Sequence, residues 1–274
     1  MNCQLIALDL DGTLLTSRKD LSPANLAALE TASRRGILVV PASGRTFSGM
    51  PDCIRTLACA RYYITCDGAL VYDKQADRDL CSTGIPADYA AAVLAFLERQ
   101  DGIADLYADG RCYMAADSLA RLDDTGIRPS QAAYIRSSRD AVPSLSGAIR
   151  QVRAVHLMQI FLRRPEEKAA LMAELEARFP MLCVATSISN NIEMNWHTAT
   201  KGGALETLCR TLDLPLAASV AFGDHQNDIA MLRAAGIGIA MGNAVPEAMA
   251  AADRVTLSND EDGVAAALHE LLSL

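Results

Sequence analysis

Short runs built almost wholly from apolar side chains recur near both ends of the chain: LIALDL from residue 5, ILVVPAS from residue 37, SVAFGD from residue 219 and IGIAMG from residue 237. A strand with no polar alternation has both of its faces covered, which is the condition of a parallel sheet between helices. The stretches between these runs are amphipathic. SPANLAALETASRRG reads as a helix with Ser22 as N-cap, Pro23 at the first helical position and Gly36 closing it. KGGALETLCRTLD, QNDIAMLRAAG, PEAMAAA and GVAAALHELLSL are further helical stretches, and RYYITCDGALVYD and RVTL each contain a strand. Strand, helix and strand at this spacing predict an α/β fold, a doubly wound parallel sheet.

The middle of the chain has a different texture. PADYAAAVLAFLERQ and PEEKAALMAELEARF read as helices, the second with Pro165 and two glutamates in its first turn. LYADGRCYM carries an Asp-Gly pair between alternating residues, a hairpin signal. VHLMQIFL, LCVATSIS and NIEMNW read as strands. The expected division is a core from residues 1–83 and 190–274, with an α+β unit of residues 84–189 inserted into it. No repeat or low-complexity segment interrupts this pattern.

Composition narrows the function. Hydrophobic residues make up 51% of the 274, enough for a sizeable core and against disorder. A net charge of −8 argues against a broad nucleic-acid-binding face, although a few cations in one pocket could still hold a phosphate. No apolar run approaches the ~20 residues that span a bilayer, and the first residues lack the basic start of a secretory leader. The eight cysteines form no CxxC pair, so most are expected to act as small core hydrophobes in a reducing cytosol. A cytoplasmic protein with no membrane partner is the expectation.

Four places carry chemistry. In DLDGT, Asp9 and Asp11 crowd the C-terminal end of a strand, where ligands bind in open α/β sheets. Their repulsion calls for a hard divalent cation, and Gly12 lets the backbone turn toward it. An ordinary acidic loop with a capping aspartate is the plainer alternative. In VVPASGR, Ser43 with Gly44 and Arg45 could hold a phosphate oxygen or form a simple turn. In TKGGAL, Lys201 opens a helix, where lysine is disfavoured by the dipole but would complete an anion site. A solvated lysine is the alternative. In AFGDHQND, Asp224 and Asp228 flank Asn227 after another apolar strand. A helix cap accounts for one of these acids, not for both.

Taken in order, DLDGT, SGR, the lysine of TKGG and GDHQND resemble the haloacid dehalogenase-like hydrolases. The large insert between the second and third pieces, with MGNA at 241–244 and DGV at 262–264, resembles the Cof-type phosphatase branch of that superfamily. The resemblance implies a Mg²⁺-dependent phosphatase acting on a small phosphorylated metabolite, such as a sugar phosphate, through an aspartyl-phosphate. Asp9 would be the nucleophile and Asp11 the acid/base, with Thr13 orienting it. Mg²⁺ would be held by Asp9, the Asp11 carbonyl and Asp224, with Asp228 orienting that shell. Asp9, Asp11, Gly12, Ser43, Gly44, Arg45, Lys201 and Asn227 would line the phosphoryl site, with Ser43 and Lys201 offsetting its charge. The insert would be a cap.

Departures from the family pattern raise separate questions. Asp67-Gly68-Ala69 stands where Asn-Gly-Ala is common, and a turn role for Asp67 is favoured over a functional one. His225 is expected to be a loop residue and Trp196 a packing residue. A phosphomutase of the same superfamily is the alternative reading of the chemistry. A receiver-like signalling protein fits less well, because of the insert and the distal GDHQND.

Overall fold

The computed structural model describes residues 3–186 and 188–272. Ser187, Ser273 and Leu274, at which the LCVATSIS and GVAAALHELLSL readings run on, lie outside the described residues. The chain divides into two compact units, Met1–Cys81 with Ala199–Leu274, and Ser82–Thr198.

The first unit is built on strands β1 (Leu5–Asp9), β2 (Leu38–Ala42), β3 (Tyr62–Thr65), β4 (Leu70–Asp73) and β5 (Arg78–Ser82). The second contains β6 (Gly102–Ala108), β7 (Arg111–Ala115), β8 (Asp140–Val142), β9 (Val155–Leu162), β10 (Leu182–Ala185) and β11 (Asn191–Trp196). The chain then returns to the first sheet with β12 (Ser219–Gly223), β13 (Ile237–Ala240) and β14 (Arg254–Val255). The core sheet runs β14-β13-β12-β1-β2-β3-β4-β5. The strands from β14 to β3 pair in parallel, and β3 pairs antiparallel with β4.

Period-two alternation on wholly buried strands sends side chains into two cores. Ile6 and Leu8 of β1 join a cluster with Leu29, Val264 and Leu268, from the helices Pro23–Arg34 and Gly263–Leu272. Leu5 and Ala7 join the opposite cluster with Leu205, Leu208 and Met231, from Lys201–Thr211 and Ile229–Ala234. The sheet is therefore covered on both faces, as its unbroken apolar strands require. The first helix starts as expected: the Ser22 hydroxyl accepts from Asn25 N at 3.1 Å, with Pro23 behind it.

In the inserted unit the sheet order is β10-β11-β9-β6-β7-β8, antiparallel except for β7 and β8. Asp109 (φ 49°) and Gly110 (φ 73°) close the β6–β7 hairpin in left-handed conformations, the geometry that selects Asp-Gly. The helices Ala87–Leu97 and Lys168–Arg178 cover one face through Leu94, Leu97, Leu171 and Leu175, packed on Leu106, Met158, Ile160 and Ile192.

Several expectations are corrected. The units divide at 81/82 and 198/199, instead of 83/84 and 189/190. The reason for the second shift is that Asn191–Trp196 pairs on one side with β9 and on the other with β10, so it belongs to the inserted sheet. RYYITCDGALVYD holds two antiparallel strands where one was expected. The stretch from residue 116 to residue 149, which had no assigned elements, carries β8 and helices Ala116–Ala120, Pro129–Ser138 and Leu145–Ile149. Four of the eight cysteines are buried, Cys3, Cys66, Cys112 and Cys209, and Cys59 and Cys81 pack half-buried against the cores, in keeping with most acting as small core hydrophobes. Trp196 packs edge-on against Tyr89 at 5.4 Å.

Candidate active site

The parallel register brings the strand ends together. Asp9 pairs with Ala42, the residue before Ser43, while β12 ends at Gly223 beside β1, so that Asp224 emerges at the same edge. Thr200 caps the next helix by accepting from Gly203 N at 3.0 Å, which fixes Lys201 at its first position. Lys201 is fully buried, and its ammonium donates to Asp9 Oδ1 at 2.6 Å and to Asp228 Oδ1 at 2.7 Å.

Carboxylate oxygens of Asp9, Asp224 and Asp228 lie within 4.8 Å of one another. Burial, and then the charges of Asp228 and Asp224, hold the Asp9 carboxyl well above its ordinary range despite Lys201. Burial also raises Asp224, against a hydrogen bond from Thr13. Burial lowers the Lys201 ammonium, but Asp228 and Asp9 outweigh it and the net shift is upward. Three crowded carboxylates facing one ammonium leave excess negative charge. An all-oxygen donor set of that kind fits a hard divalent cation.

Asp228 is held rigidly: its Oδ2 accepts from the backbone N of Asp224 and of His225, both at 3.0 Å. His225 completes the reciprocal cap of this turn, in keeping with a loop role. Gly12 (φ +103°) turns the backbone under Asp224, and a Cβ there would meet Asp224 Oδ2 at 2.4 Å. Thr13 does not reach Asp11. Its hydroxyl donates to Asp224 Oδ1 at 2.8 Å, because the turn at Gly12 swings it toward β12.

Asp11 faces away from the cluster. Its carboxylate accepts from Arg45 Nε at 3.0 Å and Nη2 at 3.2 Å, and Lys19 lies 2.8 Å away. Burial would raise the Asp11 carboxyl, but Arg45 and Lys19 together bring it below its ordinary range. Arg45 is thus engaged by a carboxylate where a phosphate contact was expected. Ser43 is buried and its hydroxyl accepts from Arg45 N at 3.2 Å. Asn227 is exposed and donates to Asp67 Oδ1 at 2.9 Å.

Sequence reasoning missed three participants. Lys19 carried no motif. Asn243 donates to Gly12 O at 2.8 Å and accepts from Asn259 N at 2.9 Å, bracing the first loop, and its only signal was the MGNA fragment. Asp67 is the third, where the sequence favours a turn role. It does sit in a turn, with φ 53°, but its carboxylate also meets Asn227.

Residues 6–268 match the family described as haloacid dehalogenase-like hydrolases. The chain belongs to that family. Among curated relatives of this haloacid dehalogenase-like hydrolase is the phosphatase YwpJ of Bacillus subtilis, 31% identical over 98% of this chain and all (100%) of that one. The pyridoxal phosphate phosphatase YbhA of Escherichia coli is 30% identical, covering 97% of both chains. A solved haloacid dehalogenase-like hydrolase from B. subtilis superposes with a TM-score of 0.81 at 31% identity, covering 98% of this chain and 99% of that one. The hydrolase is thus an enzyme of the Cof-type phosphatase branch, a phosphoric monoester hydrolase, and its inserted α+β unit accords with that membership. Among the described residues no helix is long and apolar enough to cross a membrane.

Proposed function

We propose that the chain is a Mg²⁺-dependent phosphatase that hydrolyses a small phosphorylated metabolite through an aspartyl-phosphate on Asp9. The observation that carries this reading is Asp9 itself: a buried carboxylate at a parallel-strand end, held by Lys201 inside a cluster of acids. Mg²⁺ would be held by the Asp9 and Asp224 carboxylates and the Asp11 carbonyl, and it supplies positive charge against the phosphoryl group. Asp228, locked by two backbone amides and Lys201, orients this set.

Asp9 attacks phosphorus, forming an acyl phosphate as the ester P–O bond breaks. Asp11 gives its proton to the departing oxygen. It then takes a proton from water, whose oxygen attacks the same phosphorus, freeing inorganic phosphate and Asp9. Ser43, the Gly44 amide, Lys201 and Asn227 offer donors to the phosphoryl oxygens. For Asp11 to reach the leaving group, its bond to Arg45 must open, which frees the guanidinium to meet the substrate.

The E. coli relative's name specifies pyridoxal phosphate, so a panel of phosphorylated cofactors and sugars is the natural screen. Free phosphate should be released with Mg²⁺ and not with EDTA. Asp9→Asn should lower kcat by several orders of magnitude, as loss of a covalent nucleophile does. Retention of a tenth of the wild-type rate would reject Asp9 as nucleophile. Transfer of phosphate to a second hydroxyl without release would indicate a mutase.

A further inference from the structure

Three of the four donors assigned to the phosphoryl group above, at Gly44, Lys201 and Asn227, lie near one carboxylate that the reaction does not use. Asp67 occupies a turn of three left-handed residues, Cys66 (φ 50°), Asp67 (φ 53°) and Gly68 (φ 97°). The turn is tied to the second strand end: Asp67 N donates to Ser43 O at 3.1 Å and Cys66 N to Arg45 O at 3.0 Å. It is also seated on the lysine helix, since a Cβ at Gly68 would meet Thr200 O at 2.1 Å. The Asp67 side chain has little freedom as a result. Its Oδ1 takes the Asn227 amide at 2.9 Å. Its carboxylate lies over Gly44, where an added Cβ would meet its two oxygens at 2.9 and 3.2 Å. The Lys201 ammonium feels its charge as well.

We propose that Asp67 is a specificity-determining residue of the phosphoryl site: its fixed negative charge weakens the hold on any phosphate group, so that free inorganic phosphate is released easily. Substrates that contribute binding energy from the rest of the molecule are retained. The proposal rests on the phosphoryl site described above. A penalty on the phosphate falls equally on substrate and product, but only the substrate has further contacts to offset it. The product therefore leaves, and small phosphates without a recognised remainder do not occupy the site.

The test is the affinity for inorganic phosphate, read by calorimetric titration in Mg²⁺ on wild type, Asp67→Asn and Asp67→Gly. Asparagine and glycine both tolerate the left-handed backbone at this position. Asparagine keeps an acceptor for Asn227 and removes only the charge. Phosphate should bind Asp67→Asn about tenfold more tightly than wild type, the effect of one charge a few ångströms away in a half-solvated site. The difference should shrink as salt is added. Equal phosphate affinity in wild type and Asp67→Asn, with a change only in Asp67→Gly, would show that Asp67 merely holds Asn227 and would overturn the proposal. No phosphate binding in any of the three would overturn it too. Because binding is read without turnover, a protein that releases no phosphate from any ester but shows the tenfold shift would reject the phosphatase reading and leave this one standing.

Discussion

Lys201 donates to Asp9 across 2.6 Å, joining a helix start to a strand end 192 positions away in sequence. The same ammonium reaches Asp228 at 2.7 Å, and neither partner pair is open to solvent. One cation therefore restrains carboxylates that would otherwise repel each other inside the protein.

Replacing Lys201 with methionine keeps the volume and removes the charge. Breaking a buried ion pair from one side costs ~3–5 kcal/mol, because the remaining charges lose their partner. Lys201→Met should lower the urea midpoint accordingly in EDTA. Mg²⁺ should recover part of the loss. An unchanged midpoint would mean that Lys201 carries no structural charge balance.

The raised Asp9 and Asp224 carboxyls set a pH dependence. A carboxyl whose folded pKa lies above its unfolded value favours the fold when protonated. That stability is fully present below the unfolded pKa, about 4. It is lost as pH rises through the folded pKa. Mg²⁺ held by these carboxylates, as proposed, would compete with those protons, so its stabilisation should grow over the same window. Melting scans with and without Mg²⁺, from about pH 4 to about pH 8, should show the metal-induced rise in Tm increasing with pH. A rise that does not vary with pH would place the metal elsewhere.

Arg45 and Lys19 hold the Asp11 carboxyl below its ordinary range. A general acid must carry a proton when the leaving group departs, so a low pKa limits kcat/KM on the alkaline side. Arg45→Met should lower the rate overall and also move that alkaline limb upward. The position of the limb, read from a kcat/KM profile, separates this effect from a lost phosphate contact. A limb that stays in place would show that Arg45 does not tune Asp11.

The inserted unit has its own buried charge pair. Arg139 Nε donates to Asp105 Oδ2 at 3.0 Å, Arg139 Nη2 to the Tyr107 hydroxyl at 2.7 Å and Gln159 Nε2 to Asp105 Oδ2 at 3.0 Å. Burial still raises the Asp105 carboxyl, more than Arg139 lowers it. Arg139→Met should destabilise by ~3–5 kcal/mol. The double variant Arg139→Met with Asp105→Leu should recover most of this, since an apolar pair replaces an ion pair at little cost. Thermal unfolding of the two proteins measures it, and equal losses would point to packing instead of charge.

What the sequence determined by itself was local. Apolar runs fixed the buried strands, Ser22 and Pro23 the first helix start, and Asp109-Gly110 a hairpin, because each depends on residues a few positions apart. The ordered motifs also placed Asp9, Ser43, Lys201 and Asp224 at element ends, and the parallel register then gathered them at one edge. Tertiary structure alone decided which side chain each of them meets. Thr13 turns to Asp224, Asp11 to Arg45 and Lys19, and Asn227 to Asp67, across separations of up to 211 positions. It also gave Asn191–Trp196 to the inserted sheet, where pairing on both edges outweighs nearness in sequence to the lysine helix. The physical reason is the range of the forces. Periodicity and caps act within a turn or a strand, whereas a carboxylate takes whichever cation or amide the fold brings within about 3 Å.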